Sequence, residues 1–167
     1  MSKVIFKNNQ FYHIYNRGVD KREVFIEGFY YKRFLTSMKE FNRTDPIGSL
    51  LEKEEREREE SARVSNSAGN KEFQVNGDTL RELDSKLPPI TPLVQIISYC
   101  LNPNHYHLVL QQLEDNGISK YMHKLGLGYT NFFNTKNKRN GALFQGRYKT
   151  VEITSDDHLL WAVAYVN

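Results

Sequence analysis

Residues 93–111 constrain the fold more than any other stretch of this 167-residue chain. Leu93 to Leu101 is an apolar run suited to a buried strand, Asn102-Pro103-Asn104 has the residues of a tight turn, and His105 to Gln111 alternates polar and apolar side chains as a second strand. Two strands joined so closely pair antiparallel. The remaining periodicities must be built around that pair. Phe11 to Asn16 is dominated by aromatic and β-branched residues until Arg17-Gly18 breaks the pattern, which reads as a strand ending in a turn. From Glu27 to Phe41, the positions Tyr30, Tyr31, Phe34, Leu35, Met38 and Phe41 recur at spacings of three and four and form one apolar helical face. A second helix spans Ile118 to Lys136, with Asp115 or Asn116 as its cap and Ile118, Tyr121, Met122, Leu125 and Tyr129 as its apolar stripe. Gly126 and Gly128 are expected to bend or loosen it. A strand at Tyr148 to Ile153 follows, then a capped helix from near Ser155 carrying Leu159, Leu160, Val163 and Val166. Strand, helix, strand, strand, helix, strand is the order of a ferredoxin-like α+β sandwich, an antiparallel sheet covered on one face by two helices. The other face is expected to be free.

Residues 43–90 interrupt this pattern. Leu51 to Glu60 alternates Glu with Arg and Lys, Ser61 to Gly69 is small and polar, and Pro88-Pro89 closes the segment. Few apolar side chains are available there to offset ordering entropy. The reading is one domain over residues 1–167 with a charged, partly flexible insertion at about 43–90, a charged helix followed by a mobile loop. That insertion holds 11 acidic against 8 basic residues, so the remainder is more basic than the formal net charge of +3 implies. A basic surface of this kind suits a phosphate backbone. The lone Cys100 lies in an apolar run and has no intrachain partner, which fits a reducing, cytoplasmic setting. No stretch has the roughly 20 apolar residues of a membrane span.

His105-Tyr106-His107 sits within a predicted strand, so the pleat sends both imidazoles to one face and Tyr106 to the other. Two imidazoles so placed can share a metal ion, although an H-x-H alone is weak evidence. Phosphodiester transfer needs a nucleophile, a Lewis acid and cations for the backbone. Tyr129 offers a phenol on the second helix, with a reference pKa of about 10 that demands help in removing the proton. The plainer alternative is an ordinary tyrosine of an amphipathic helix, and Tyr121 is the next candidate for the nucleophile. Lys136, Lys138 and Arg139 precede a stretch in which Arg147 and Lys149 alternate with Tyr148, and rings interleaved with cations suit single-stranded nucleic acid. On the predicted strand the two cations share a face.

Four segments resemble those of the HUH single-tyrosine transposases, in particular the REP-associated branch and its insertion-sequence relatives. They are Phe11 to Gly18, Asn102 to Val109, Tyr129 to Asn134, and Leu143 to Lys149, in the family's order. The resemblance implies an HUH nuclease fold and an enzyme that binds Mg²⁺ or Mn²⁺ through His105, His107 and a polar side chain from the tyrosine helix. The i+4 position after Tyr129 is Phe133, so Asn134 takes that role, with Asn131 and water as rivals. Tyr129 would attack single-stranded DNA at hairpin-bearing ends, forming a 5′-phosphotyrosine link that a 3′-hydroxyl can reverse. Arg17, Lys136, Lys138, Arg139, Arg147, Tyr148 and Lys149 would hold the DNA. Relatives include monomers and homodimers, and they usually continue beyond the position of Asn167, so a truncated C-terminus is expected. Two other readings remain open: a domesticated protein that grips hairpin DNA without cutting it, and a metal-dependent phosphohydrolase in which Tyr129 only packs.

Overall fold

The computed structural model describes residues 4–45 and 91–166, with positions 48, 50, 52, 53, 55, 56, 58 and 59 between them. The chain forms two compact units, Met1–Thr44 with Pro92–Asn167, and Asp45–Thr91. In the second unit the described positions from Leu50 to Glu59 are helical, as the charged alternation predicts. The polar stretch expected to be a loop lies outside the described residues.

In the first unit the order is β1 (Phe11–Arg17), α1 (Gly28–Glu40), β2 (Val94–Asn102), β3 (His105–Gln112), α2 (Gly117–Lys136), β4 (Lys149–Ile153) and α3 (Asp156–Val166). A short 3₁₀ turn at Val19–Lys21 follows β1. The sheet order is β2-β3-β1-β4 and every neighbouring pair is antiparallel, the ferredoxin-like arrangement. Each expected element is present, with its ends shifted by a residue or so.

Strand alternation divides the side chains between the two faces. Tyr12, Ile14 and Asn16 of β1, and Tyr106, Leu108 and Leu110 of β3, are buried. Helices α1 and α2 cover this face. Helix α1 presents Tyr30, Phe34 and Met38, one turn apart, and α2 presents Ile118, Tyr121, Met122, Leu125, Tyr129, Phe132 and Phe133. Phe34 packs edge-on to Tyr129 and tilted against Tyr106, with ring centroids 4.9 and 5.3 Å apart.

Helix α2 runs unbroken through Gly126 and Gly128. Gly128 has a packing reason: a Cβ there would lie 2.5 Å from the ring of Phe41, so the end of α1 comes close only because α2 has no side chain at that point. The cap differs from the expectation. Asn116 precedes the helix in a left-handed conformation and makes no side-chain cap, while the Ile118 amide donates to Gln112 Oε1 of β3. Ser155 does cap α3, its hydroxyl accepting from the His158 amide.

The second face is not free. Ala162 and Val166 of α3 pack on Val109 and Ile153, with Phe11, Cys100 and Leu159 at the margin. Every residue of α3 from Leu159 to Val166 is apolar or aromatic, and a helix of that composition is seldom left without a packing partner. Leu160 and Trp161 remain exposed on its far side.

The Asn42 side chain ties the end of α1 to the start of β2, donating to the Val94 carbonyl at 2.8 Å and accepting from the Val94 amide at 3.0 Å. The chain on either side of the insertion is therefore already held together. Replacing residues 46–90 by a short Gly/Ser linker should leave one cooperative urea transition with its midpoint nearly unchanged, because closing a shorter loop costs no more entropy than closing a longer one. A broad transition or a collapsed midpoint would show that the insertion contributes core.

Candidate catalytic and nucleic-acid-binding site

The registers place His105 and His107 in rows that cross the sheet. Cys100, His107, Tyr15 and Lys149 are partners along one row, and Asn102, His105 and Arg17 along the next. Directly paired residues share a face, so one surface carries both imidazoles, the Tyr15 ring and two cations. Part of it is a cleft of about 360 Å³ lined by Tyr15, Arg17, Asn104, His105, His107 and Lys149.

Hydrogen bonds orient both rings. His105 Nδ1 lies 2.6 Å from Asn104 Oδ1 and therefore carries its proton, while Nε2 accepts from Asn102 Nδ2 at 3.1 Å. His107 Nδ1 is 2.8 Å from His13 Nε2 on β1, and its ring stacks nearly parallel on Tyr15. Burial, then the adjacent His13 and His105, hold the His107 imidazole down to about 4. Burial and His158 also lower His13. Both rings are therefore neutral at neutral pH, the state that leaves a nitrogen lone pair for a cation. Among the described residues, no group of three His, Cys, Asp or Glu side chains is placed to hold a metal ion. A cation could be held by His107 and, once the Asn102 amide gives up its hydrogen bond to Nε2, by His105, with other ligands from water, an amide or a phosphate.

Tyr129 is not on this surface. It extends from α2 into the opposite, helix-covered face, has no solvent exposure, and donates its hydroxyl to the Val24 carbonyl at 2.6 Å. Burial, then Tyr30 and Tyr31, push its phenol well above the ordinary tyrosine value. A neutral, enclosed phenol with the sheet between it and the histidines cannot reach a phosphate held by them. Tyr121 fails similarly, being buried with its hydroxyl on the Met38 carbonyl. The reading of Tyr129 as nucleophile is therefore corrected.

Two phenols face the histidines among the described residues: Tyr15 of β1, whose ring lies flat on His107, and Tyr165 of α3. Tyr165 is 72% exposed, and its ring centroid lies 5.6 Å from His107 and 6.0 Å from His13. The sequence held a signal for this. Tyr129 continues the apolar stripe of α2, which marks a core position, whereas Leu159, Ala162 and Val166 define the docking face of α3 and leave Tyr165 off it.

Asn134 is also displaced from its expected role. Its amide donates to the Gly141 carbonyl and its oxygen accepts from Arg139, and it lines a separate cleft with Asn131, Lys138 and Arg139. It closes the loop after α2 and does not ligate beside the histidines. The expected DNA-binding cations divide into groups. Arg17, bonded to Gln145, and Lys149 belong to the histidine surface. Lys136 lies over the Phe29 ring, and Lys138 and Arg139 sit at the end of α2. Because β4 begins only at Lys149, the alternation does not reach Arg147, which instead lies over the Tyr148 ring on the helix-covered side.

The family model described as "Transposase IS200 like" matches residues 91–167, a span holding both histidines and Tyr165. A solved REP-associated tyrosine transposase, bound to a REP hairpin, has the same fold with a TM-score of 0.53. The identity is 8%, over 99% of this chain and 69% of that one. No curated protein matches the chain. Among the described residues no helix is long and apolar enough to cross a membrane.

The histidine cluster sets a pH dependence. Unfolded imidazoles titrate near 6.5, so between that pH and about 4 the unfolded chain takes up protons that folded His107 refuses. Stability should fall as pH drops through this window. Urea titrations of chelator-treated protein should show that slope, and His107→Gln should make it shallower. A wild-type slope that is flat from pH 6.5 to 4.5 would contradict the neutral cluster.

Proposed function

We propose, from the match of residues 91–167 to the IS200-like transposase family model, that the protein cleaves and rejoins single-stranded DNA at hairpin-bearing ends with Tyr165 as its nucleophile. The observation that supports this is the shared surface of Tyr165, His107 and His13, together with the cations Arg17 and Lys149 beside the histidines. In the reaction, the Tyr165 oxygen bonds to phosphorus and the P–O3′ bond breaks. The phenol's proton is balanced by the one the departing 3′ oxygen gains. The link to the 5′-phosphate keeps the energy of the phosphodiester, so a 3′-hydroxyl attacking in reverse rejoins the strands without ATP. His105 and His107 would hold Mg²⁺ or Mn²⁺, which when bound neutralises charge on the scissile phosphate. His13 positions His107 through the 2.8 Å contact, and Arg17 and Lys149 grip the backbone. A hairpin-bearing DNA end is proposed as substrate because the fold relative was solved with a hairpin bound.

Trapping the protein–DNA adduct tests the reading. Tyr165→Phe should abolish the adduct while hairpin affinity stays within about twofold. Tyr129→Phe should retain the adduct and cost about 1 kcal/mol of stability, the worth of an ordinary internal hydrogen bond. His105→Ala, His107→Ala or excess chelator should reduce cleavage by two orders of magnitude or more. Adduct formed by Tyr165→Phe and lost in Tyr129→Phe would overturn the assignment. Hairpin binding with no adduct under any metal would favour the silent DNA-binding alternative.

Salt dependence tests the grip. If Arg17 and Lys149 each neutralise one phosphate, replacing both by Ala should lower the slope of log affinity against log salt by about 1.4, at about 0.7 per contact on single strands. An unchanged slope would put the DNA path off this surface.

A further inference from the structure

On the helix-covered side, a cleft of about 520 Å³ opens between α2 and the loop leading into β4. Met122, Leu127, Leu143 and Phe144 give it apolar walls, and the Tyr148 ring lies at its rim beneath the Arg147 guanidinium, 5.2 Å from ring centroid to guanidinium carbon. Polar groups reach it at the buried end, where the Tyr106 phenol meets the Asn16 side chain. Gly126 also lines it. A glycine in a helix interior is destabilising relative to alanine, and here no packing requires one: a Cβ at Gly126 would meet nothing within 4 Å. Gly128, two residues on, is accounted for by Phe41. The missing side chain at Gly126 therefore makes room in the cleft.

The cleft is adjacent to the histidine surface. The five-residue stretch from Gln145 to Lys149 separates the two: Gln145 and Lys149 line the histidine cleft, while Gly146, Arg147 and Tyr148 line this one. Asn16 borders both and fixes the stretch by donating to the Gly146 carbonyl at 3.1 Å. A strand whose phosphate lies at the histidines can cross this loop and reach the second cleft within a few nucleotides.

We propose that this cleft takes one unstacked nucleobase of the bound DNA. The base would lie against Tyr148 and Leu127 beside the Gly126 backbone, its edge toward Asn16 and Tyr106 and its phosphate toward Arg147. The proposal rests on the DNA reading above. An apolar slot with a ring at its mouth, a few polar groups at its end and a cation on its rim matches a base with its attached phosphate, since base–aromatic stacking and phosphate charge are the two forces that hold single strands. It reads base identity, whereas the histidine surface acts on the backbone common to all sequences.

The test uses a hairpin oligonucleotide with single-stranded flanks, selected by the full-length wild-type protein from a randomised pool, and a series of it in which each nucleotide in turn lacks its base. At one position in or next to the single-stranded part, loss of the base should weaken wild-type binding about tenfold or more. Gly126→Phe, which fills the cleft, should weaken binding of the intact oligonucleotide similarly and make it indifferent to that base. Leu127→Ser removes an exposed wall residue, more than half accessible, and should act in the same direction while keeping the fold, so it decides the matter if Gly126→Phe does not fold. Strong hairpin binding in which no base couples to either variant would overturn the cleft proposal and leave the DNA reading standing. Selection of no binding DNA at all would overturn both.

Discussion

The pleat of β3 governs everything else in the first unit. Successive side chains on a strand point to opposite faces, so one tripeptide, His105-Tyr106-His107, sends two imidazoles to one side and a buried ring to the other. Tyr106 packs against Phe34 and Phe144, and this fixes which face the large helices cover. The histidine surface is thereby confined to the remaining face. A slip of one residue in the pairing with β1 would exchange the two sets and bury the histidines. The Tyr12, Ile14 and Leu108 side chains, all inaccessible on the helix side, make that slip costly.

Tyr129 illustrates how a residue with the chemistry of a nucleophile can be committed to structure. Its hydroxyl bonds to the Val24 carbonyl, and the amides of Val24 and Phe25 both donate to the Pro103 carbonyl in the turn before His105. A continuous path thus runs from the α2 core to the turn that begins the histidine strand. The phenol contributes to the site by holding its frame. It lies buried on the face opposite the histidines.

Much of this was legible in the sequence. The strand–turn–strand at residues 93–111, both long helices and the ferredoxin-like order follow from hydrophobic period alone, because each element buries one continuous face. The shared orientation of His105 and His107 follows from strand geometry in the same way. Which tyrosine joins them was carried only by the apolar stripes of the two helices, a weaker signal than the motif that pointed to Tyr129. Tyr129 stands in a segment resembling a transposase motif, but a motif in one dimension does not say on which side of a sheet its helix packs. The Arg147–Lys149 alternation misled for a related reason. It presumed a strand two residues before β4 begins, where Gly146, with a φ of 69°, turns the chain instead. Asn134 lay outside reach because an amide that closes its own loop, through Gly141 and Arg139, looks no different in sequence from one that binds a cation.

The parts of the site differ in how firmly they are held. His105 and His107 are on a strand paired on both sides and backed by the aromatic core, so their positions are set by the most constrained part of the chain. Tyr165 rides on α3, an 11-residue helix of a length that is marginal on its own in water. Its conformation and location depend on the small cluster of Val109, Ile153, Ala162 and Val166. Val109 belongs to the histidine strand itself, two residues past His107. The contact that docks the tyrosine helix is therefore registered to the strand that places the imidazoles. The separation of phenol from histidine is fixed by one local apolar contact, independent of the extensive core on the other face.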